Sequence, residues 1–340
     1  MNLQTLMFSK KICVVGQHSG AELCVKALRG VTNVPIFFAR SPFQTDSSCL
    51  VPAEEITLHR AMEEHQMSFV CAGINWVQEA LHLVQKVDPE YIFPPFTFHT
   101  FLHYKTPDQW KYLREEIEVQ FADAESKKYW RDLCELFTHL NPFVPTKNSN
   151  KRGHYGYDLP IFQKLKGKNA IDIGAWIGDD CQEFIDYGCE TVYAVEPTIS
   201  SAEIIKAKQL PSVIIKNHAA GNYTGRSYLS TKSFSSWNSI GSDLNGEQIQ
   251  VRKVDHGGWG DSIGIIKAEP EGADIDVLLG MLDTIKWHKP IVCITAYHDP
   301  FHVFRILNIA KNEFPKGYRV YAAPKTGYSW QIFLLFVWEN

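Results

Sequence analysis

The sequence predicts an α/β protein: a Rossmann-like, mostly parallel sheet in the C-terminal half, a smaller α/β domain at the N-terminus, and a helical bridge between them. Three observations predict it. Short apolar runs of strand length alternate with amphipathic helical patterns along most of the 340 residues. Twice, at residues 11–16 and 170–174, such a run ends in a glycine turn that leads into a helical pattern. Between the two, residues 141–150 gather proline and small polar residues, which fix turns and stop helices.

In the N-terminal domain, residues 1–105, strands are expected at 11–16, 34–39, 68–72 and 91–93, the last stopped by Pro94 and Pro95, with a helix over 76–87. The loop from Gly16 to Gly20 could hold a nucleotide. Arg40 and Ser41 stand, however, where a dinucleotide site needs an acid after the next strand, which favours a structural or docking role. Residues 106–150 form the bridge and linker, because charged and apolar residues alternate with helical period from Asp108 to Leu140.

In the region 151–340, strands are expected at 170–174, 191–195, 213–216, 264–268, 291–296, 318–322 and 332–338. Helical patterns fall near 179–187, 200–209, 273–286 and 301–312. A polar excursion over 225–261, with hairpin strands at 227–231 and 248–254, interrupts the alternation. Its Trp237, Asn238, His256 and Trp259 suit a substrate site at the sheet's carboxyl edge; a solvated hairpin whose aromatics cover the sheet explains them equally.

A formal charge of −4 and 45% hydrophobic residues allow a large core and give no field that would draw nucleic acid or anionic lipid. Eight cysteines without a C-x-x-C read as buried free thiols in a reducing compartment. The N-terminus has no signal-like apolar run, and no segment approaches the roughly 18 apolar residues of a membrane span, so the expected location is the cytoplasm.

The chemistry is concentrated in Ala170-Ile-Asp-Ile-Gly-Ala-Trp-Ile-Gly-Asp179 and the following Thr191-Val-Tyr-Ala-Val-Glu196. The order is strand, glycine turn, helix, strand, carboxylate. Glycines 174 and 178 permit a sharp turn and close approach to a ligand, and Glu196, 22 residues past Gly174, is placed to bind the two hydroxyls of a ribose. Such a unit holds an adenosine-containing cofactor. The spacing Gly174-x-x-x-Gly178 is not the G-x-G-x-x-G of dinucleotide sites, and Asp172 and Asp179 are poor company for a pyrophosphate. They suit a ligand with a sulfonium and an ammonium, S-adenosylmethionine. An ordinary strand-turn-helix with surface acids is the alternative.

Farther on, Ile265-Ile-Lys-Ala-Glu-Pro-Glu-Gly-Ala-Asp274 brings Lys267, Glu269 and Glu271 to the same edge, where Lys267 is expected to pair with one of the glutamates. With Glu196-Pro197 and Asn217-His-Ala219-Ala-Gly221, these motifs resemble the FkbM family of S-adenosylmethionine-dependent methyltransferases. Members carry D-x-G-A-x-x-G-D, an acid followed by proline, N-x-A-x-G, and K-x-D-x-E-G-A-E. The resemblance spans roughly residues 120–323. It also reaches the segment 122–127 and Tyr297-His298, which look like a subgroup with a small N-terminal α/β domain.

The resemblance implies a class I methyltransferase sheet over 151–340 and S-adenosylmethionine as cofactor. Asp172, Gly174, Ala175, Trp176, Gly178 and Asp179 would form its loop. Glu196 and Pro197 would lie at the ribose, and Asn217, Ala219 and Glu269 would complete the site. It implies O-methylation of a hydroxyl on a sugar, a glycan intermediate or a secondary metabolite. Three positions depart from the family pattern: Trp176 is a bulky ring in the glycine loop, Glu269-Pro270 replaces Asp and a β-branched residue, and Asp274 replaces Glu.

Methyl transfer to an oxygen needs alignment and a base. The candidates by position are His298, Glu269, Glu271, Asp255 and His256. His298 is favoured because it follows the strand 291–296 and histidine titrates near neutral pH; a histidine that only orders the loop is the plainer reading. Tyr155, with His154, is placed to cap an acceptor cleft. The spacing shows no convergent metal ligands, so metal-independent chemistry on a small-molecule or glycan acceptor is expected. Two rivals remain: a cofactor-binding scaffold or sensor without turnover, and a nicotinamide-dependent oxidoreductase using the Gly16 loop. Oligomeric state is not legible.

Overall fold

Alternating apolar runs and helical patterns fold, in the computed structural model, into two units: Met1–Arg114 with Arg131–Asn148, and Glu115–Trp130 with Ser149–Asn340. The structure describes residues 10–16, 24–25, 28–29, 33–40, 53–64, 67–72, 82–83, 87, 92–93, 114–139, 159–230, 239–241, 247–297, 302–324 and 331–339.

The first unit holds β1 (Lys11–Gly16), β2 (Ile36–Arg40), β3 (Glu54–Glu55), α1 (Leu58–Glu63), β4 (Met67–Ala72) and β5 (Ile92–Phe93). Their order is β3-β2-β1-β4-β5, and every pairing is parallel. Parallel neighbours require crossover segments that cover the faces, so the central strand reads as an unbroken apolar run and is buried throughout its middle. Arg40, which stands where a ribose-binding acid would be needed, is clasped by Glu55 of β3 through Nε at 2.5 Å and Nη2 at 3.1 Å. The Gly16 to Gly20 loop and most of the expected helix 76–87 lie outside the described residues.

The helix α2 (Ala124–His139), of which residues 124–130 belong to the second unit, begins where Asp123 accepts the Ser126 N–H at 2.7 Å, a side-chain cap. The unit's large sheet is built from β6 (Asn169–Ile173), β7 (Thr191–Val195), β8 (Val213–Lys216), β13 (Ile263–Ala268), β14 (Ile291–Thr295), β15 (Tyr318–Pro324) and β16 (Ile332–Trp338). The order is β15-β16-β14-β13-β6-β7-β8. Only β16 runs antiparallel to its neighbours. From β6 the chain moves outward to β7 and β8, then returns to the other side of β6 with β13. That reversal opens a crevice at the carboxyl ends of β6 and β13, where open α/β sheets bind ligands.

Helices α3 (Asp179–Asp186), α4 (Ile199–Ala207), α5 (Asp274–Gly280), α6 (Leu282–His288) and α7 (His302–Glu313) flank the sheet. The expected helix 273–286 is thus two helices, broken at Met281. Apolar side chains from both layers close the core, among them Phe162, Ile265, Phe184, Cys293 and Phe333, all fully buried. Seven of the cysteines are described, and all seven are buried free thiols, as their apolar surroundings predict.

The excursion between β8 and β13 forms a sheet of its own. β9 (Ala219–Gly221), β10 (Gly225–Ser230), β11 (Ser239–Gly241) and β12 (Glu247–Lys253) lie in the order β11-β10-β12-β9. Its inner face, with Ala219, Leu229, Ile249 and Val251, is a small apolar cluster. α5 approaches β9 so closely that a Cβ on Gly280 would stand 1.9 Å from the Gly221 carbonyl oxygen.

Backbone cannot retreat as a flexible side chain can, so Gly280→Ala is expected to cost about 3 kcal/mol or more. Gly167→Ala faces open space and only a positive φ of 71°, so about 1–2 kcal/mol is expected. Urea unfolding midpoints measure both; equal losses would contradict the close approach.

Candidate functional site

The site is built where β6, β7, β8, β13 and β14 end. After β6 the chain turns at once: Gly174 and Ala175 both donate to the Val195 carbonyl at 3.0 and 3.2 Å, and Gly178 donates to Ala175 at 2.7 Å. Gly174 and Gly178 have φ of 73° and 82°. The reason for glycine differs from the one the sequence suggests, because protein atoms fill the space. A Cβ on Gly174 would lie 2.2 Å from the Glu269 carbonyl oxygen, and one on Gly178 would lie 3.2 Å from Ile205. Trp176 and Glu271 adopt φ of 47° and 48°, a conformation that L-residues hold at a cost of about 1 kcal/mol or more and that collects at functional sites.

Lys267 sits at the centre. It pairs in register with Asp172 across β13 and β6 and is 2% exposed. Its Nζ lies 3.1 Å from Asp172 Oδ1, 3.0 Å from Asp180 Oδ2 and 3.7 Å from Glu269 Oε2, and it donates to the Gly174 carbonyl at 3.2 Å. Burial opposes the ammonium, but the three carboxylates outweigh it and hold the lysine charged well above its usual range. Burial pushes the Asp172 carboxyl from the ordinary 3.8 up to about 6, with Lys267 opposing the rise and Asp180 adding to it. Glu269 is 7% exposed, and its Oε1 accepts from Tyr297 Oη at 2.6 Å.

Glu196 ends β7 with 6% exposure. Oε2 accepts the Trp176 N–H at 2.9 Å and Oε1 the Thr198 N–H at 2.8 Å, and the Thr198 side chain adds a further hydrogen bond to the carboxylate. Burial raises its pKa, and the Thr198 amide and side chain and the Trp176 amide counter the rise. Asn217 braces this corner by donating to the carbonyls of Glu196 and Pro197 at 2.9 and 3.2 Å.

Several predicted positions need correction. Asp172 is completely enclosed, with Cys181 Sγ 3.3 Å from its Oδ2, so it acts on the crevice through Lys267 and not by touch. Asp179 points outward to Lys208 at 2.7 Å; its neighbour Asp180 turns inward instead. Lys267 pairs with Glu269 but also with the two aspartates, and it is not at the surface. The Ala219 side chain belongs to the small sheet's apolar cluster.

Trp259 lies at the amino edge, opposite the crevice: its carbonyl accepts from Asn169, the first residue of β6, and its indole donates to Val254 at 2.6 Å and packs edge-on against Tyr193. His256 is exposed. Asp255 next to it is taken by the Thr284 N–H and hydroxyl on α6, both at 2.8 Å. Tyr155, Trp237, Asn238 and His298 lie outside the described residues.

Sequence reasoning missed Asp180, the Thr198 amide, and a buried group below the loops. There Asp274, the first residue of α5, accepts from Thr295 at the end of β14 and lies 3.2 Å from His302 Nδ1 at the start of α7. The i,i+1 neighbours at 179 and 180 face different ways once the helix start is known, which is the one signal that points to Asp180.

Residues 172–319 match the Methyltransferase FkbM domain family. Among solved structures, the chain is similar to methyltransferase FkbM from Methylobacillus flagellatus KT, with 16% identity, a TM-score of 0.64, and coverage of 96% of this chain and 90% of that one, a likeness of fold. Fibrillarin pre-rRNA processing protein of Methanococcus jannaschii matches at 13% identity and TM-score 0.34 over 52% of this chain and 69% of that one. Ribosomal protein L11 methylase of Lactobacillus delbrueckii subsp. bulgaricus matches at 11% and 0.32, over 54% and 78%. No curated protein sequence matches the chain.

Replacing Lys267 by methionine strands three carboxylates, and a loss of about 3–5 kcal/mol is expected near neutral pH. Asp172 has a raised carboxyl, so its contribution to stability is fully present below 3.8 and lost as pH rises through about 6. Removing the cation enlarges that effect, and Lys267→Met should regain stability as pH falls from about 8 to about 5. Guanidinium unfolding across that range measures it; a flat profile would contradict the arrangement.

Proposed function

We propose, from the premise that residues 172–319 belong to the FkbM methyltransferase family, that this protein binds S-adenosylmethionine at the carboxyl edge of the large sheet and methylates a hydroxyl group of a sugar, a glycan intermediate or a secondary metabolite. The observation that carries the reading is the charge balance under the crevice: three carboxylates, the buried Asp172 and Glu269 and the partly buried Asp180, surround a single ammonium. The surplus is negative. It disfavours a pyrophosphate and favours a ligand that carries positive charge, since opposite charges about 6 Å apart attract by about 3 kcal/mol at an effective dielectric of about 20.

When bound, S-adenosylmethionine supplies a methyl group on a positively charged sulfur. The residues do the rest. Glu196 is the residue placed to accept from the ribose hydroxyls, and the Trp176 and Thr198 amides with the Thr198 side chain hold the carboxylate in place. Asn217 keeps the Glu196-Pro197 backbone rigid. Glu269, fixed between Tyr297 and Lys267, faces the cationic end. Trp176, 44% exposed and bonded to Glu196 through its backbone N–H, shields one side of the nucleoside. Tyr297 is tied to Glu269; the proton of the acceptor oxygen is assigned to His298, the next residue in the sequence, with Glu271 the second candidate.

Calorimetry with S-adenosylmethionine and S-adenosylhomocysteine tests the cofactor reading. The charged form is expected to bind on the order of tenfold tighter, and Glu269→Gln to narrow the gap. Glu196→Gln should weaken both by about 10- to 100-fold. Because the Glu196 pKa is raised, affinity should fall on acidification before an exposed glutamate would titrate. No heat with either ligand would sink the proposal. For the base, His298→Ala with intact cofactor binding should lose methyl transfer; full activity would remove that assignment.

A further inference from the structure

The ammonium of Lys267 carries three protons, and three acceptors stand nearer to it than Glu269 does: Asp180 Oδ2 at 3.0 Å, Asp172 Oδ1 at 3.1 Å and the Gly174 carbonyl at 3.2 Å. Glu269 Oε2 is farther off, at 3.7 Å, where a close charge-assisted bond would measure about 2.8 Å. The other carboxylate oxygen, Oε1, accepts from Tyr297 Oη at 2.6 Å. Glu269 is thus gripped by a phenol and held short of the cation.

Backbone fixes both ends of that grip. The Glu269 N–H donates to the Ile173 carbonyl at 2.9 Å, a Cβ on Gly174 would collide with the Glu269 carbonyl, and the ring of Pro270 sets the next φ. On the other side, Ala296 donates to the Ile332 carbonyl at 3.0 Å, and the Tyr297 ring packs against the fully buried Phe333, with 6.2 Å between centroids and 55° between planes. With the main chain held, the side-chain torsions of Glu269 choose between phenol and ammonium. The two donors differ in one respect. A phenol brings a partial positive charge and no net charge, so it orients the carboxylate without neutralising it, whereas close contact with Lys267 would cancel most of its field.

We propose that Tyr297 is a positioning residue whose hydroxyl keeps Glu269 off Lys267 and turned to the positive charge of the bound cofactor, and so sets how strongly the site prefers a charged ligand to an uncharged one. This rests on the cofactor reading and adds a residue to it. Without the hydroxyl, the ammonium draws the carboxylate to itself, and the ligand's charge meets a neutralised pair. The cofactor carries two cationic groups. Turned to the sulfonium, Glu269 holds S-adenosylmethionine more firmly than the thioether left after methyl transfer; turned to the ammonium, it holds both alike and selects against nucleosides that lack the amino acid.

The test is calorimetry of the full chain and of Tyr297→Phe with S-adenosylmethionine, S-adenosylhomocysteine and methylthioadenosine, which carry two, one and no positive charges. The affinity gap between the first two reads the sulfonium, and the gap between the last two reads the amino acid end. In Tyr297→Phe at least one gap is expected to narrow by about fivefold, with methylthioadenosine binding within about twofold of the unaltered chain. In a Glu269→Gln background the same substitution should change neither gap, because a neutral amide has no charge to direct. Gaps unchanged by Tyr297→Phe, an equal loss for all three ligands, or the same narrowing in the Glu269→Gln background overturns the proposal. No heat from the unaltered chain with S-adenosylhomocysteine removes the cofactor reading and the proposal with it; heat with unchanged gaps removes the proposal alone.

Discussion

A lysine ammonium shut away from water, with carboxylates on three sides, is the constraint on which the carboxyl edge depends. Asp172 comes from β6, Asp180 from the first turn of α3, Glu269 from the loop after β13, and the Gly174 carbonyl from the glycine turn. An isolated buried charge is costly, whereas a matched one is tolerable, so these four pieces of chain must arrive together. Their position also decides what the crevice attracts. The interaction that closes the fold at this edge is the one that sets its electrostatic preference.

A second tier supports the first. Asp274, Thr295 and His302 join the starts of α5 and α7 to the end of β14, below the loops that carry Glu269 and Tyr297. Thr295 is also 3.3 Å from the Ala268 carbonyl at the end of β13. Asp274 is shorter by one methylene than the Glu of the family pattern, and its reach is met by a threonine hydroxyl and an imidazole. Glu196 is held differently, by two backbone amides together with the Thr198 side chain.

Much of this was legible. The strands 170–174, 191–195, 213–216 and 291–296 fell within a residue of their observed ends, because buried parallel strands are apolar runs bounded by turns. What escaped was non-local. Whether Asp179 or Asp180 turns inward depends on helix phase. The reason for Gly174 is a carbonyl 95 residues away in the chain, a contact that no spacing reveals. Trp259 read as a carboxyl-edge aromatic because hydropathy gives no hint of which end of a sheet a long excursion returns to; a bond from Asn169 sends it to the amino end.

The segment before α2 has a consequence of another kind. Ala122 donates to the Val320 carbonyl at 2.8 Å, and Ser126 Oγ accepts from Ala322 at 2.9 Å, along the outermost strand of the large sheet. Those groups would otherwise form a bare ladder, ready to recruit a strand from another molecule. Trimming the chain at the proline-rich break near 150 would remove this hem while leaving every crevice residue in place, and the shortened protein would be prone to associate edge to edge.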